Sequence, residues 1–348
     1  MIEQKKVNHS NLNRKRYFTI NVKEVKTLGI SYYKTKIFIG NFVFFTTMKF
    51  GYYIRIPLNY PEIRDLTVEV EKLGFESAHL NDHLIGFDPA QDKKEPYLES
   101  MMLLAALAVE TKQVKLGNIV ICNSFRNPTY LAKMISTLDN ISNGRALLWL
   151  GAGWYKEEYK AYSYSFPTPK RRVDELEESL IIYKKMFTED VTDFDGKFWK
   201  LERNRNFPKP IQKPYPQIVL GTSGNRMTEI ACREADGINI PQGNIEQIRT
   251  KIPCIKENLK KFNRDPSKFE ISLFTSIAIV NDQAELEELR KKRRIFKRNL
   301  KNRFIGTPVD IKEKIKEVEN MGISKIVLSI DKTEIEDPLK VFTTEIMD

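Results

Sequence analysis

Short apolar runs alternate with segments of helical periodicity along most of this chain. The clearest example begins with an apolar, β-branched run at 115–122, which predicts a buried parallel strand. Apolar residues then recur at helical spacing: Leu131, Met134, Ile135, Leu138 and Ile141. Pro128 suits the first turn of this helix, and Gly144 suits its C-terminal cap. A second apolar run, 145–150, predicts the next strand and completes a strand–helix–strand unit.

The same alternation continues from residue 48 to the C-terminal region. Eight apolar runs predict strands at 49–54, 77–80, 115–122, 145–150, 217–220, 237–240, 269–280 and 325–330. Most are followed by helical patterns, including 61–73, 97–110, 171–187, 245–262, 285–303 and 308–321. Eight strand–helix repeats predict an α/β fold, a (β/α)8 TIM barrel with insertions. A doubly wound open sheet fits the same alternation.

The N-terminal segment, 1–47, differs from the rest of the chain. It holds nine Lys/Arg and two Asp/Glu, so it carries +7 of the net charge of +11. Because the remaining chain carries only +4, we expect no nucleic-acid partner. Met48 begins the first predicted strand, so 48–348 is predicted to be the folded domain. We interpret 1–47 as an extension that results from an over-long gene prediction. The alternative is a real arm that adds a strand or contacts a partner.

Cysteine and histidine usage narrows the class of protein further. Cys122, Cys232 and Cys254 are odd in number and far apart, which predicts reduced thiols in the cytoplasm. The three histidines have no metal-ligand spacing, so we expect no metal site. No run approaches the roughly 18 apolar residues of a membrane span.

The unusual polar and glycine residues follow the predicted strands. In an α/β barrel, function lies on the loops after the strands, so these residues would form one rim. Asp82 and His83 follow the second strand and Cys122 the third, while Gly151–Gly153 and Gly221–Gly224 follow the next two. His83 is the best catalytic candidate because imidazole exchanges protons near neutral pH. Asp82 would orient His83 or a bound ring, and His79 is interpreted as a structural residue inside its strand.

Two further segments have both a structural and a functional interpretation. Gly221-Thr222-Ser223-Gly224 precedes a helix, where free N–H groups and hydroxyls would bind a phosphate. Ordinary helix capping explains the same residues. The basic residues between 290 and 303 are interpreted as a solvated helix face. The alternative is a lid that attracts an anionic substrate or cofactor tail.

Three segments carry a resemblance to a known family. LGNIVICNSFRNPTYLAK, LDNISNGR and LGAGWYKEEY resemble the luciferase-like monooxygenase superfamily of flavin and deazaflavin enzymes. Within it they are most similar to the branch that depends on coenzyme F420, a deazaflavin. The resemblance runs from about residue 48 to the C-terminus, and it favours the barrel over the open sheet. It also implies a homodimer.

The resemblance implies specific roles for the rim residues. His83 would lie near the hydride-transferring edge of the ring, and a non-prolyl cis bond between Ile119 and Val120 would support the ring from behind. Cys122 would lie beside the ring. The turn that contacts the ring or the polyol chain would include Ala152, Gly153 and Glu157. The loop Gly221, Thr222, Ser223 and Gly224 would bind the cofactor phosphate.

The function implied is hydride transfer between coenzyme F420 and a small organic substrate. The alternatives are an FMN-dependent monooxygenase and a non-catalytic protein that binds flavin or deazaflavin. One position departs from the family pattern. The similar sugar-phosphate dehydrogenases carry a catalytic Glu directly after the second glycine of the turn, where this chain has Trp154. The departure counts against sugar-phosphate oxidation and leaves the second proton-transfer group unidentified.

Overall fold

The fold is described from a computed structural model covering residues 34–39, 42–86, 95–222, 224–241, 244–294 and 303–347. The strands are β1 Lys34–Ile39, β2 Phe42–Thr47, β3 Lys49–Tyr53, β4 Ser77–Leu80, β5 Lys115–Asn118, β6 Ile121–Cys122, β7 Leu148–Gly151, β8 Thr192–Asp195, β9 Lys200–Asn204, β10 Ile218–Gly221, β11 Gly237–Pro241, β12 Glu270–Ile279, β13 Arg303–Gly306 and β14 Lys325–Ile330. The α-helices are α1 Tyr60–Lys72, α2 Ser100–Glu110, α3 Pro128–Ile141, α4 Lys156–Ala161, α5 Pro169–Thr188, α6 Asn225–Glu234, α7 Ile245–Lys261, α8 Gln283–Arg294, α9 Pro308–Met321 and α10 Pro338–Val341, and a π-helix, Phe342–Met347, follows α10.

A parallel sheet closes into a barrel at the centre of the molecule. Its strand order is β5-β4-β3-β14-β12-β11-β10-β7-β6. The first and last strands of this path, β5 and β6, are two halves of the single run predicted at 115–122. A parallel bridge between Leu116 and Ala146 joins the two ends of the sheet. The prediction of a (β/α)8 barrel is therefore confirmed, and the open sheet is excluded.

Burial explains why these segments form strands and helices. A barrel strand is covered on both faces, so its sequence is a continuous apolar run instead of an alternating one. In β7, Leu148, Trp149 and Leu150 are all fully buried. Helix α3 is amphipathic and buries Leu131 and Ile135 in the core. Its N-terminus is capped by the side chain of Asn127, as the Asn-Pro pair predicts.

One predicted element is wrong in its boundary. The helix predicted at 285–303 ends at Arg294 within the described residues, and Arg303 begins β13. This short strand pairs with β12 beside the main path of the barrel. A four-residue strand that follows a long basic run has too little periodicity to be detected in the sequence. Residues 295–302, and the basic side chains at 290 and 292–294, lie outside the described part of the chain.

The N-terminal segment is described only from Lys34 onward. There β1 and β2 form an antiparallel hairpin with Lys34 opposite Thr47. Within the described residues this two-stranded sheet is separate from the barrel sheet. None of the described helices combines the length and apolar composition that a membrane span requires.

Candidate active site

A cavity of about 680 Å³ opens at the carboxyl ends of the barrel strands. Its wall combines aromatic and aliphatic side chains with a few polar groups. This is the end of an α/β barrel at which binding and catalysis occur. Ten of the sequence-predicted site residues lie in this wall: Asp82, His83, Ile119, Val120, Cys122, Ala152, Gly153, Gly221, Thr222 and Gly224.

The two other predicted residues do not line the cavity in the described structure. Ser223 lies outside the described residues. Glu157 is exposed on the outer side of α4 and is absent from the cavity wall. The next residue, Glu158, is buried and lines the cavity instead. Helix α4 was not predicted from the sequence, so the sequence did not indicate which of the two adjacent glutamates faces inward.

His83 is held in the wall by Glu158. Its Nδ1 lies 3.0 Å from Glu158 Oε2. The other oxygen of this carboxylate, Oε1, accepts hydrogen bonds from the backbone N–H groups of Leu84 and Ile85. Glu158 therefore fixes both the imidazole and the loop that carries it. Sequence analysis did not identify Glu158, because two adjacent glutamates give no signal for which of them points inward.

Asp82 does not orient His83, contrary to one of the two roles considered for it. Its carboxylate accepts hydrogen bonds from Ser100 Oγ at 2.6 Å and from the Cys122 backbone N–H at 2.9 Å. Arg126 binds the same carboxylate through both terminal nitrogens, at 2.7 and 2.8 Å, and also contacts Glu99. Burial alone would lower the pKa of Arg126, but its bonds to the two carboxylates raise it. Asp82 thus ties β4, β6 and the following loop together.

The cis peptide bond predicted between Ile119 and Val120 is present. It separates β5 from β6 and directs the Val120 side chain towards the ends of the two neighbouring strands. A Cβ atom on Gly151 would lie 2.6 Å from Val120 Cγ2, and one on Gly221 would lie 2.8 Å from Val120 Cγ1. An added Cβ at either glycine would therefore collide with Val120, which is a structural reason for glycine at both positions.

Cys122 and Tyr159 form a buried polar contact beside this wall. Cys122 Sγ lies 3.1 Å from Tyr159 Oη, and burial raises the pKa of the thiol to about 11. A Cβ on Gly153 would collide with the Tyr159 hydroxyl, and Gly153 has a φ of 79°, which favours glycine. Cys122 is therefore a packed, protonated residue of the wall.

The loop after β10 leads directly into α6. Gly224 is the N-cap residue, without a side-chain hydrogen bond to the helix. Among the described residues, no atom lies within 4 Å of the position that a Cβ on Gly224 would take. Thr222 is buried, and its Oγ1 donates to the carbonyl oxygen of Gly224 at 3.3 Å. The first N–H groups of α6 are consequently presented at an unobstructed position beside the cavity.

Aromatic side chains surround His83 at the mouth. The Trp154 ring lies 5.8 Å from the His83 ring, edge to face, and 5.3 Å from the ring of Tyr155. Trp154 is 65% exposed although it lines the cavity. An exposed indole therefore lies beside His83 in the cavity wall.

A separate charged cluster lies inside the barrel at the opposite ends of the strands. Lys325 is buried and pairs with Glu76 at 2.6 Å. Burial alone would raise the pKa of Glu76, but the ammonium groups of Lys325 and Lys115 lower it. Burial lowers the pKa of His79 to about 3, so this histidine is a neutral residue of the barrel interior. The interpretation of His79 as a structural residue is consistent with this position.

Within the described residues, no group of three or more His, Cys, Asp or Glu side chains is arranged to hold a metal ion. Polar groups missed by sequence analysis also line the cavity. They are Tyr53, Asn81, Glu158, Tyr159, Arg172 and Asn239. They lie within or beside regular elements, where a single polar residue resembles an ordinary surface or capping position.

The fold and the position of the site define a barrel enzyme scaffold with a ligand cavity at the carboxyl ends of its strands. The family model of luciferase-like monooxygenases matches residues 41–304, which is most of the chain. The chain therefore belongs to the luciferase-like monooxygenase family.

Curated relatives share about a quarter of their residues with this chain. The F420-dependent glucose-6-phosphate dehydrogenase of Kineococcus radiotolerans is 26% identical over 230 residues, which cover 65% of this chain and 66% of that protein. The enzyme of the same name from Intrasporangium calvum is 28% identical over 58% of this chain and 61% of that protein. The FMNH2-dependent dimethylsulfone monooxygenase of Pseudomonas putida is 27% identical over 56% of this chain and 52% of that protein. This chain thus spans less than two thirds of the length of each of these three relatives.

Solved structures with the same fold cover most of the chain. An F420-dependent secondary alcohol dehydrogenase in complex with an F420-acetone adduct has a TM-score of 0.74 and 19% identity, and the match covers 86% of this chain and 98% of that chain. The coenzyme F420-dependent tetrahydromethanopterin reductase of Methanopyrus kandleri has a TM-score of 0.72, 20% identity and the same coverage. At these identities the likeness shows the fold.

Proposed function

We propose that this protein is an oxidoreductase that transfers a hydride between coenzyme F420 and a small organic substrate. The observation that carries the proposal is the convergence of His83, Val120, Gly153 and Gly224 on one cavity at the carboxyl end of the barrel. The names of the curated relatives, most of which are F420-dependent, support the choice of cofactor.

The residues of the cavity fit such a cofactor. Ile119, Val120 and Ala152 provide an apolar wall suited to the face of a planar ring. The uncapped start of α6, with open space at Gly224, suits a phosphate group, because helix N-terminal N–H groups bind anions. We therefore assign ring contacts to Ile119, Val120, Cys122, Ala152 and Gly153, and phosphate contacts to the loop Gly221, Thr222, Ser223 and Gly224.

The bound coenzyme would supply the hydride donor or acceptor. The contribution of the chain is to hold the substrate between the ring and His83, and to exchange a proton with the substrate oxygen. Glu158 keeps the imidazole in place while this happens. Trp154 and Tyr155 would contact the substrate at the mouth of the cavity.

A titration with each cofactor tests the proposal. The purified protein is mixed with coenzyme F420 or with FMN, and binding is followed by the absorbance and fluorescence of the cofactor. Saturable binding of coenzyme F420, weakened in Gly224→Ala, is the expected result. Binding of FMN with no affinity for coenzyme F420 would reject the assignment.

The FMN-dependent monooxygenase remains the second candidate. The match to the dimethylsulfone monooxygenase, at an identity equal to that of several F420-dependent relatives, favours it. Oxygen consumption with reduced FMN and an organic substrate distinguishes this activity from anaerobic hydride transfer to coenzyme F420.

A third candidate, a protein that binds the cofactor without turnover, is tested through His83. Reduction of bound coenzyme F420 is measured with a panel of alcohols, and its reoxidation with the matching carbonyl compounds. We expect His83→Ala to lower the rate by roughly 10²-fold or more, the usual contribution of a positioned acid or base. Equal rates in the wild type and His83→Ala would remove His83 from this role.

We propose a substrate other than glucose 6-phosphate. Trp154 stands where the similar sugar-phosphate dehydrogenases carry a catalytic glutamate, and its exposed indole favours an uncharged, partly apolar alcohol or carbonyl compound. Trp154→Glu should lower the rate with such a substrate, and an unchanged rate for glucose 6-phosphate in both proteins would agree with this assignment.

We further propose a cytoplasmic homodimer with residues 1–47 outside the catalytic domain. The three cysteines are unpaired thiols, consistent with a reducing compartment. Helix α2 is apolar on all sides, yet Met102 and Val109 are exposed on it, next to the exposed Tyr130 of α3. Such a face is typical of an interface. Light scattering of the full chain and of residues 48–348 tests both statements.

A further inference from the structure

We propose that Glu158 is a positioning residue that sets the tautomer of His83, so that Nε2 takes the proton of a substrate hydroxyl group. This inference rests on the proposed function, because it specifies the reaction as oxidation of an alcohol by oxidised deazaflavin. Sequence analysis predicted a cofactor contact at the neighbouring Glu157 and assigned no role to Glu158.

The geometry selects Glu158 for this task. Its side chain is 1% exposed, and its Oε2 lies 3.0 Å from His83 Nδ1. Oε1 accepts from two successive backbone N–H groups, those of Leu84 and Ile85. The two backbone contacts at Oε1 are made by N–H donors, an environment that favours an ionised carboxylate, since this form only accepts hydrogen bonds.

The tautomer follows from this arrangement. A carboxylate that accepts at Nδ1 requires the imidazole proton on Nδ1, so Nε2 carries the lone pair of the neutral ring. The second acidic residue nearby does not compete for His83. The oxygens of Asp82 are engaged by Arg126, Ser100 Oγ and the Cys122 backbone N–H.

Oxidation of the alcohol removes one proton and one hydride from the substrate. The substrate hydroxyl loses its proton to His83 Nε2, and the hydride on the same carbon leaves for oxidised deazaflavin, so that a C=O bond forms. The imidazolium that results lies against the Glu158 carboxylate, which stabilises its charge. Solvent later removes the proton from His83. In the reverse direction His83 returns the proton to the carbonyl oxygen.

Glu158→Gln tests the proposal with little change in shape. The amide oxygen can still accept from Leu84 N, which preserves the loop, whereas the amide NH2 group would face Nδ1 and donate to it. The imidazole proton would then lie on Nε2, the wrong nitrogen for accepting the substrate proton. Glu157→Gln is the matched control, because Glu157 is exposed and lies outside the cavity.

Two measurements are made on the full-length protein. The first is ¹⁵N NMR of the histidine side chains without cofactor, with His83→Asn identifying the His83 signals. We expect Nδ1 protonated and Nε2 unprotonated in the wild type and in Glu157→Gln, and the reverse in Glu158→Gln. The second is steady-state alcohol oxidation, for which Glu158→Gln should lower kcat by roughly 10²-fold with KM little changed.

The outcomes separate the inference from the proposed function. A wild-type tautomer with the proton on Nε2, or the same tautomer in wild type and Glu158→Gln, overturns the role of Glu158 whatever the cofactor. The expected tautomers with no coenzyme F420 turnover by any variant would keep the positioning role and reject the function. A rise in KM with unchanged kcat would reduce Glu158 to a purely structural anchor and overturn the inference.

Discussion

Replacing Gly151 with alanine is predicted to destabilise the protein because the new methyl group would collide with Val120. The added Cβ would lie 2.6 Å from Val120 Cγ2, well under the 3.0 Å below which something must move. The nearest atom belongs to a short branched side chain next to the barrel wall, so it has little room to yield. Overpacking of this kind costs about 1–3 kcal/mol. The free energy of unfolding should fall by that amount in Gly151→Ala.

A second substitution should relieve the collision. Val120→Ala removes both methyl groups that face Gly151 and Gly221, at a cost of about 1.5 kcal/mol from the two lost carbons at roughly 0.8 kcal/mol each. In Val120→Ala/Gly151→Ala the new methyl group occupies the space left by valine. The double variant should therefore be more stable than the sum of the single losses predicts, by roughly 1–2 kcal/mol.

Urea unfolding of the four proteins, followed by tryptophan fluorescence, measures this coupling. Gly224→Ala is the control, because no atom in the described part of the chain lies within 4 Å of its added Cβ and its φ of −83° suits alanine. Its free energy of unfolding should change by less than about 0.5 kcal/mol. Strictly additive losses in the double variant would refute the reasoning that Gly151 is required by Val120.

Three further predictions concern buried polar groups. Because burial lowers the pKa of His79 from 6.5 to about 3, the unfolded state binds more protons between these values, and stability should fall as pH drops through that range. His79→Gln should flatten this part of a pH series of urea unfolding curves, and an unchanged slope would contradict the assignment. Arg126→Met leaves the buried Asp82 carboxylate without its cation and should lower the free energy of unfolding by about 3–5 kcal/mol. The double variant Asp82→Asn/Arg126→Met should lose less stability than Arg126→Met alone, because no unpaired charge stays buried. Thermal and urea unfolding of the two variants measure these losses. Iodoacetamide at pH 8 should leave Cys122 unmodified in the native protein, because burial raises its thiol pKa to about 11; rapid alkylation of Cys122, read by peptide mass spectrometry, would contradict its packed position.

Much of the fold could be predicted from the sequence because barrel strands have a distinctive signature. Strands such as 145–150 are buried on both faces, so they read as uninterrupted apolar runs between helical segments. The closure of the barrel could not be read from these runs alone. It depends on pairing between Leu116 and Ala146 at the two ends of the sheet, and an open sheet has the same local pattern.

The candidate site was predicted where residues directly follow strands. His83, Cys122 and Gly153 stand at such positions, so the barrel rule alone brings them to one end of the molecule. Glu158 and Arg126 were missed because they act through side chains that reach across from other elements. Arg126 reaches Asp82 from 44 positions further along the chain, a separation that no local pattern records.

The sequence by itself determined the order of elements, the rim on which the candidate residues lie and the family to which the chain belongs. Local backbone preference and the spacing of apolar residues specify these features, because each depends on near neighbours in the chain. Only the tertiary structure decided which of two adjacent glutamates faces His83 and why Gly151 and Gly221 lack side chains. Those answers depend on distances between distant segments, Glu158 to His83 and Val120 to the two glycines, which exist only after the barrel has closed.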